Sequence, residues 1–252
     1  MIRPPHMGKK QARYDHRDFL MAKYVDMNKF PPLPSQFGHE GKVAQWGMLG
    51  NDQVGDCTIA GAEHETMLLT ALSTLGQAQF NDACAISDYS TATGYDPAQP
   101  NTDQGADMHD IMKFRRQTGV IDIKGNRHKI AGYVWLEPGN VQHLLMATYL
   151  FGVVGVGIQF PDSAMDQFNS SQPWTPVGGA QIQGGHYIPC VACRSNPLIV
   201  TWGKLHPMTP SFYEKYNDES IALISTEFLH GQTSPEGFSA SDLITDLGLL
   251  AK

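Results

Sequence analysis

The chain predicts an α+β fold with a helical first half and a strand-rich second half. Between residues 57 and 75, and in two shorter stretches before Gly119, apolar residues recur at helical spacing. After Gly119, short runs of β-branched and aromatic residues are separated by turn residues. A composition of 41% hydrophobic and 17% charged residues over 252 positions fits an ordered core without long disordered tracts.

The first thirty residues are polar and basic, and Arg3, Lys9, Lys10, Arg13 and Arg17 read as a solvated arm. Within them only residues 19–25 are amphipathic. Pro31, Pro32 and Pro34 then predict an extended connector. Residues 38–50 are loop-like, with Val43 and Trp46 as anchors. Ile59, Ala60, Met67, Leu68, Ala71, Leu72 and Leu75 predict one long helix that Gly76 stops. On that helix, His64 and Glu65 read as surface or inter-lobe residues. A second helix is expected over 82–91. After a Gly/Pro/Asn/Asp-rich loop, a third covers 106–117 and stops at Gly119.

Strands are expected at 120–123, 130–136, 153–160, 187–193, 198–202 and 220–225, with a helix at 141–149. Thr209-Pro210 opens a short capped helix that returns the chain to the last strand. Leu243, Ile244, Leu247, Leu249 and Leu250 predict a short docked helix. The expected division is an arm (1–40), a helical lobe (41–119), a β lobe (120–225) and a C-terminal extension (226–252).

Composition narrows the function. A net charge of −7 gives no general reason to expect nucleic acid or an anionic membrane as partner. Cys57, Cys84, Cys190 and Cys193 are too few for a disulfide scaffold, and a reducing compartment is the default. No apolar run approaches membrane-spanning length, and Met1 to His6 lack the apolar core of a secretory signal. The expectation is a soluble, cytoplasmic protein without cofactor or metal. Cys190 and Cys193 fall on opposite faces of a strand, which favours core packing over a zinc site.

The chemistry centres on Cys57. In Asn51-Asp52-Gln53-Val54-Gly55-Asp56-Cys57-Thr58, a Gly-containing turn delivers the thiol to the start of the long helix. A helix N-terminus favours a thiolate, and Gly184-Gly185-His186 supplies a proton acceptor 129 residues later. Asp52 and Asp56 oppose thiolate formation unless they turn away and cap the helix.

Taken together, these segments resemble the papain-like cysteine peptidases. Gly41-Lys42-Val43 leading through Asn51 to Cys57 is similar to the segment that delivers the family's nucleophile. Asn101 to Gly105 resembles its Gly-rich loop. Residues 144–149, 153–158, Phe168 and Gly184-Gly185-His186 follow its order in the β lobe. Val200-Thr201-Trp202-Gly203 resembles its Asn-Ser-Trp-Gly strand, and the likeness spans residues 41–203.

The resemblance implies that Cys57, from a helical lobe with a long central helix, and His186, from a strand-rich lobe, meet across a cleft. By position, Asn51 is the side-chain oxyanion donor, where the family usually has glutamine, and Gln53 is the other candidate. The family's orienting asparagine falls on Val200. Thr201 takes that role if the register shifts by one, and Asp218 and Asn196 are the alternatives. Trp202 corresponds to the tryptophan that shields the histidine's hydrogen bond.

The implied activity is thiol-dependent hydrolysis of peptide or isopeptide bonds in an intracellular microbial or viral setting, with peptide or protein substrates. The alternative is a papain-like shell kept for binding or structure, such as a bacteriophage virion or assembly component. Cell-wall amidase chemistry also uses a Cys–His pair.

Overall fold

A computed structural model of the chain describes residues 6–23, 32–73, 76–225 and 227. Three helices come first: α1 (Cys57–Ala71), α2 (Asp82–Thr93) and α3 (Met108–Gln117). Their ends follow local chemistry. Asn81 accepts from the Cys84 N–H at the start of α2, and Gly94, at φ 79°, ends it in the left-handed conformation. Asp107 caps α3 through the N–H groups of His109 and Asp110. Asp56 occupies the cap position of α1 but makes no side-chain capping bond. The first helix also stops four residues earlier than its apolar spacing predicts. Thr70 back-bonds to Thr66 and accepts from the Ala78 N–H, which turns the chain away.

A two-residue strand, β1 (Phe37–Gly38), precedes the helices. The strands after them are β2 (Val120–Ile121), β3 (Arg127–His128), β4 (Ile130–Leu136), β5 (Val154–Pro161), β6 (Ile182–Cys193), β7 (Pro197–Thr201), β8 (Lys204–Pro207) and β9 (Asn217–Ser225). Between them lie α4 (Val141–Phe151), α5 (Asp162–Asn169) and α6 (Pro210–Tyr216). The main sheet is antiparallel in the order β4-β9-β5-β6-β7-β8, with β1 also paired to β6. The expected strand at 120–123 shortens to β2, which pairs with β3 in a separate ribbon. The architecture is α+β, with a helical part before Gly119 and a largely antiparallel sheet after it. The amphipathic stretch at 19–25 is described only in part, as a 3₁₀ turn at Met21–Lys23. Part of the Pro-rich connector and the expected C-terminal helix lie outside the described residues.

Two apolar clusters meet at α1. Met67, Leu68 and Leu69 join the core shared with α4 and the sheet, whereas Cys57, Ile59, Ala60 and Ala62 join the core shared with α2 and α3. Every α1 residue except Ala71 is buried, so the helix has no solvent face. His64 and Glu65 are therefore core residues. His64 Nε2 lies 3.0 Å from the Trp46 carbonyl oxygen, and Glu65 pairs with Arg115 of α3 and accepts from the Tyr187 hydroxyl at 2.8 Å.

The approach of α1 to β6 depends on two small residues. A Cβ on Gly61 would lie 2.5 Å from the Tyr187 ring, and one on Gly155 would lie 1.6 Å from its hydroxyl. With neither present, the tyrosine fits between α1 and Gly155 of β5. That closeness brings the backbone of β6 up to the first turn of α1.

Candidate active site

At its N-terminal end, α1 meets β6, and Cys57 is buried there with 1% of its surface exposed. The backbone N–H of Tyr187, the residue after His186, hydrogen-bonds the Cys57 sulfur, as does the N–H of Gly8. Burial nevertheless pushes the thiol up to about 11. Asp56 is fully buried as well, and loss of hydration holds its carboxyl well above the usual range. What charge Asp56 carries acts with burial to raise the thiol.

His186 lies opposite Ile158 in the β5–β6 register and is also buried. Its Nε2 is 2.9 Å from the Thr201 hydroxyl, and its Nδ1 is enclosed without a partner among the described residues. Trp202 covers the ring at a centroid distance of 4.7 Å and an interplanar angle of 17°. Phe160 meets the same imidazole edge-on at 5.8 Å. In this apolar box the histidine is pushed down to about 3.

Asn51 is buried, and its amide donates to the carbonyls of His6 at 3.1 Å and Val54 at 3.3 Å. Gln53 differs from the expectation. It is exposed, and its amide donates to Asp82, because the 50–54 turn projects that side chain away from Cys57. The two alternative partners for His186 are engaged elsewhere. Asp218 binds Lys9 and Gln159, and Asn196 lies in the turn between β6 and β7, accepting from the Arg194 N–H.

The N-terminal segment departs most from the sequence reading. Lys10, Arg13 and Arg17 are exposed, as a solvated arm requires, but residues 6–10 cross the end of α1 as an extended segment that buries Gly8 and Lys9. The Lys9 N–H donates to Gly185 at 3.0 Å, the Lys10 N–H to Ala106 at 2.9 Å, and the Ala106 N–H to Gly8 at 2.7 Å. One residue is thus held between the loop before α3 and the start of β6. Gly8 fits because it lacks a side chain, since a Cβ there would lie 1.6 Å from the Gly55 oxygen. Lys9 is 5% exposed and bridges Asp218 and Glu219, each at 2.9 Å. A sequence signal for this role was present in the acidic pair that opens the otherwise apolar β9.

The site thus presents a buried thiol at a helix start, an imidazole with one nitrogen tied and one free, and a carboxamide on a peptide carbonyl. Across them lies a peptide strand from the same chain. Among the described residues, no helix is long and apolar enough to cross a membrane.

No family model matches the sequence, and no curated protein matches it. Solved structures do match the fold. Xylellain, a cysteine protease from Xylella fastidiosa, superimposes with a TM-score of 0.64 at 15% identity, over 89% of this chain and 98% of that one. The Carica candamarcensis cysteine protease CMS1MS2, in complex with E-64, gives 0.55 at 12% identity, over 77% and 99%. The bromelain protease from Ananas comosus, in complex with the E64 inhibitor, gives 0.55 at 11% identity, over 77% and 100%. The chain has the fold of the papain-like cysteine proteases, in a divergent form.

Proposed function

We propose that this chain is a cysteine peptidase, a papain-like thiol hydrolase acting on peptide or protein substrates. Cys57 is the nucleophile and His186 the general acid and base. Asn51 and the Cys57 N–H, which has no acceptor within its helix, are the oxyanion donors. Thr201 is a positioning residue that holds His186. The different surroundings of the two His186 nitrogens carry this reading. Nε2 is tied to Thr201 beneath Trp202, and Nδ1 is free on the residue that adjoins the thiol's hydrogen-bond donor.

In the reaction the Cys57 proton passes to Nδ1, and the sulfur bonds to the carbonyl carbon of the substrate. The C–N bond breaks as the imidazolium gives that proton to the leaving amine. A water deprotonated by the same imidazole then cleaves the thioester, releasing the acid and restoring the thiol. The covered site rests as a neutral pair, since burial holds Cys57 near about 11 and His186 near about 3. Turnover therefore requires residues 6–10 to leave the cleft, which rehydrates both groups.

E-64 tests the reading. Incubated with the folded chain at neutral pH, it is expected to form one adduct, on Cys57, and His186→Ala abolishes it. A Cys57 that reacts no faster than the half-buried Cys84 in a native fold refutes the proposal.

A second reading is a papain-like shell that binds without catalysing. The covered thiol and the hydroxyl of Thr201, in place of a carboxamide, favour it. It expects E-64 to leave the folded chain unmodified.

A further inference from the structure

Lys9 is the most enclosed cation among the described ion pairs, with no exposed side-chain surface. Its ammonium uses all three donors: Asp218 Oδ2 at 2.9 Å, Glu219 Oε1 at 2.9 Å and the Lys10 carbonyl oxygen at 3.0 Å. The methylene stem passes over Gly157, where a Cβ would lie 2.2 Å from Lys9 Cε. Any larger residue at 157 would close the slot. Its main chain is held by Gly185 and by the loop at Ala106, and the neighbouring Gly8 N–H reaches the Cys57 sulfur.

We propose that the slot formed by Gly157, Asp218 and Glu219 is a recognition subsite for a lysine or arginine side chain of a bound peptide, and that Lys9 fills it in the resting chain. This deepens the peptidase reading above and rests on it for the identity of the cleft. The physical reason for selectivity is the pair of adjacent carboxylates. With a cation between them, both are satisfied. With an apolar side chain there, Glu219 stays buried without its cation and the half-buried Asp218 keeps only Gln159. Glu219 already sits above its usual range because of burial, with Lys9 pulling the other way. A site built around such a cation rejects a neutral isostere far more strongly than an apolar pocket rejects a missing methylene.

The experiment uses the full chain and needs no turnover. Lys9→Ala empties the slot, and Lys9→Met, which keeps the stem, serves if the alanine variant does not fold. Iodoacetamide labelling of Cys57, followed by peptide mass spectrometry with Cys84 as internal reference, is expected to be at least tenfold faster than in the unsubstituted chain. The peptide acetyl-Met-Gly-Lys-Lys-amide, added in trans, should restore protection at a concentration at least tenfold lower than acetyl-Met-Gly-Leu-Lys-amide. Adding Glu219→Gln with Asp218→Asn should abolish that difference.

Equal protection by the two peptides, or no protection by either, overturns the subsite. Discriminating protection without cleavage of any peptide leaves the subsite standing and removes the peptidase reading. Cleavage that is indifferent to a basic side chain does the reverse.

Discussion

The indole of Trp202 lies parallel to the imidazole of His186, with ring centres 4.7 Å apart and planes inclined by 17°. The hairpin between β7 and β8 creates this stack. Thr201 pairs with Lys204, leaving a two-residue loop in which Trp202 has φ 45° and Gly203 φ 71°. Positive φ at both central positions is the type I′ geometry that matches strand twist, and it is costly for a tryptophan. The turn thus presents the Thr201 hydroxyl and the indole to the same ring.

That placement makes Trp202→Gly a mixed change. Relief of the left-handed backbone returns about 1 kcal/mol, whereas loss of a buried indole costs about 3–5 kcal/mol. Net destabilisation of roughly 2–4 kcal/mol is expected in urea unfolding. In the folded variant, NMR titration should find His186 moved up from about 3 toward the ordinary range as water reaches it. An unmoved His186 would mean that Phe160 and the sheet alone keep it dry.

Thr201→Val leaves Nε2 of His186 buried without a partner, at a cost of about 1–3 kcal/mol. If the peptidase reading holds, kcat should fall at least tenfold with little change in KM, and Thr201→Ser should recover most of it. A merely structural Thr201 would lower stability but leave the pH profile of kcat/KM unchanged.

Alkylation of Cys57 in the full chain should rise about tenfold per pH unit from pH 7 to 10, because its thiol is held at about 11. Displacing residues 6–10 through Lys9→Ala should flatten that slope toward about pH 9–10, where an uncovered thiol of ordinary acidity is already largely ionised. Rates measured by mass spectrometry across this range decide the matter, and equal slopes in both proteins would disconnect the segment from the thiol.

Glu63 is buried in α1, and neither carboxylate oxygen has a partner among the described residues. Burial raises it well above the ordinary carboxylate range. A raised acid contributes fully below its unfolded value and loses that contribution as pH rises through the folded one. Glu63→Gln should therefore be the more stable protein at pH 8. Its advantage should grow by about 1.4 kcal/mol per pH unit above roughly pH 4.5, until the folded carboxyl titrates. Urea midpoints at pH 4.5 and 8 test this, and a constant difference would contradict it.

The buried histidines give the opposite dependence. His186 is held at about 3 and His64 at about 4, both below 6.5, because burial disfavours their charged forms. The unfolded chain takes up protons first, so stability falls as pH drops below about 6.5, by about 1.4 kcal/mol per pH unit for each ring. Substituting His64 by Gln should remove one share of this slope in acid-unfolding curves.

Local chemistry made much of the fold legible. The helix expected over 82–91 became α2, Thr209 and Pro210 open α6, and the apolar run at 130–136 became β4 with unchanged bounds. Each depends on neighbours within a few residues. The Cys57 turn and the strand carrying His186 were legible for the same reason, and Thr201 was named as a partner for that ring. Gln53 was misread because an amide two residues from Asn51 looks equivalent along the chain, whereas the 50–54 turn sends it to Asp82.

The sequence by itself determined the helical and strand-rich halves, the thiol at a helix start and a histidine at the head of an apolar run, although the strand itself begins earlier, at Ile182. These follow from periodicity, capping and turn preferences, which are short-range. Only the tertiary structure decided that Lys9 is buried, that Asp218 and Glu219 face it, and that residues 6–10 cover Cys57. Those contacts join positions about 200 residues apart. Their physical basis is the burial of a charge that is stable there only because opposite charges from a distant strand reach it.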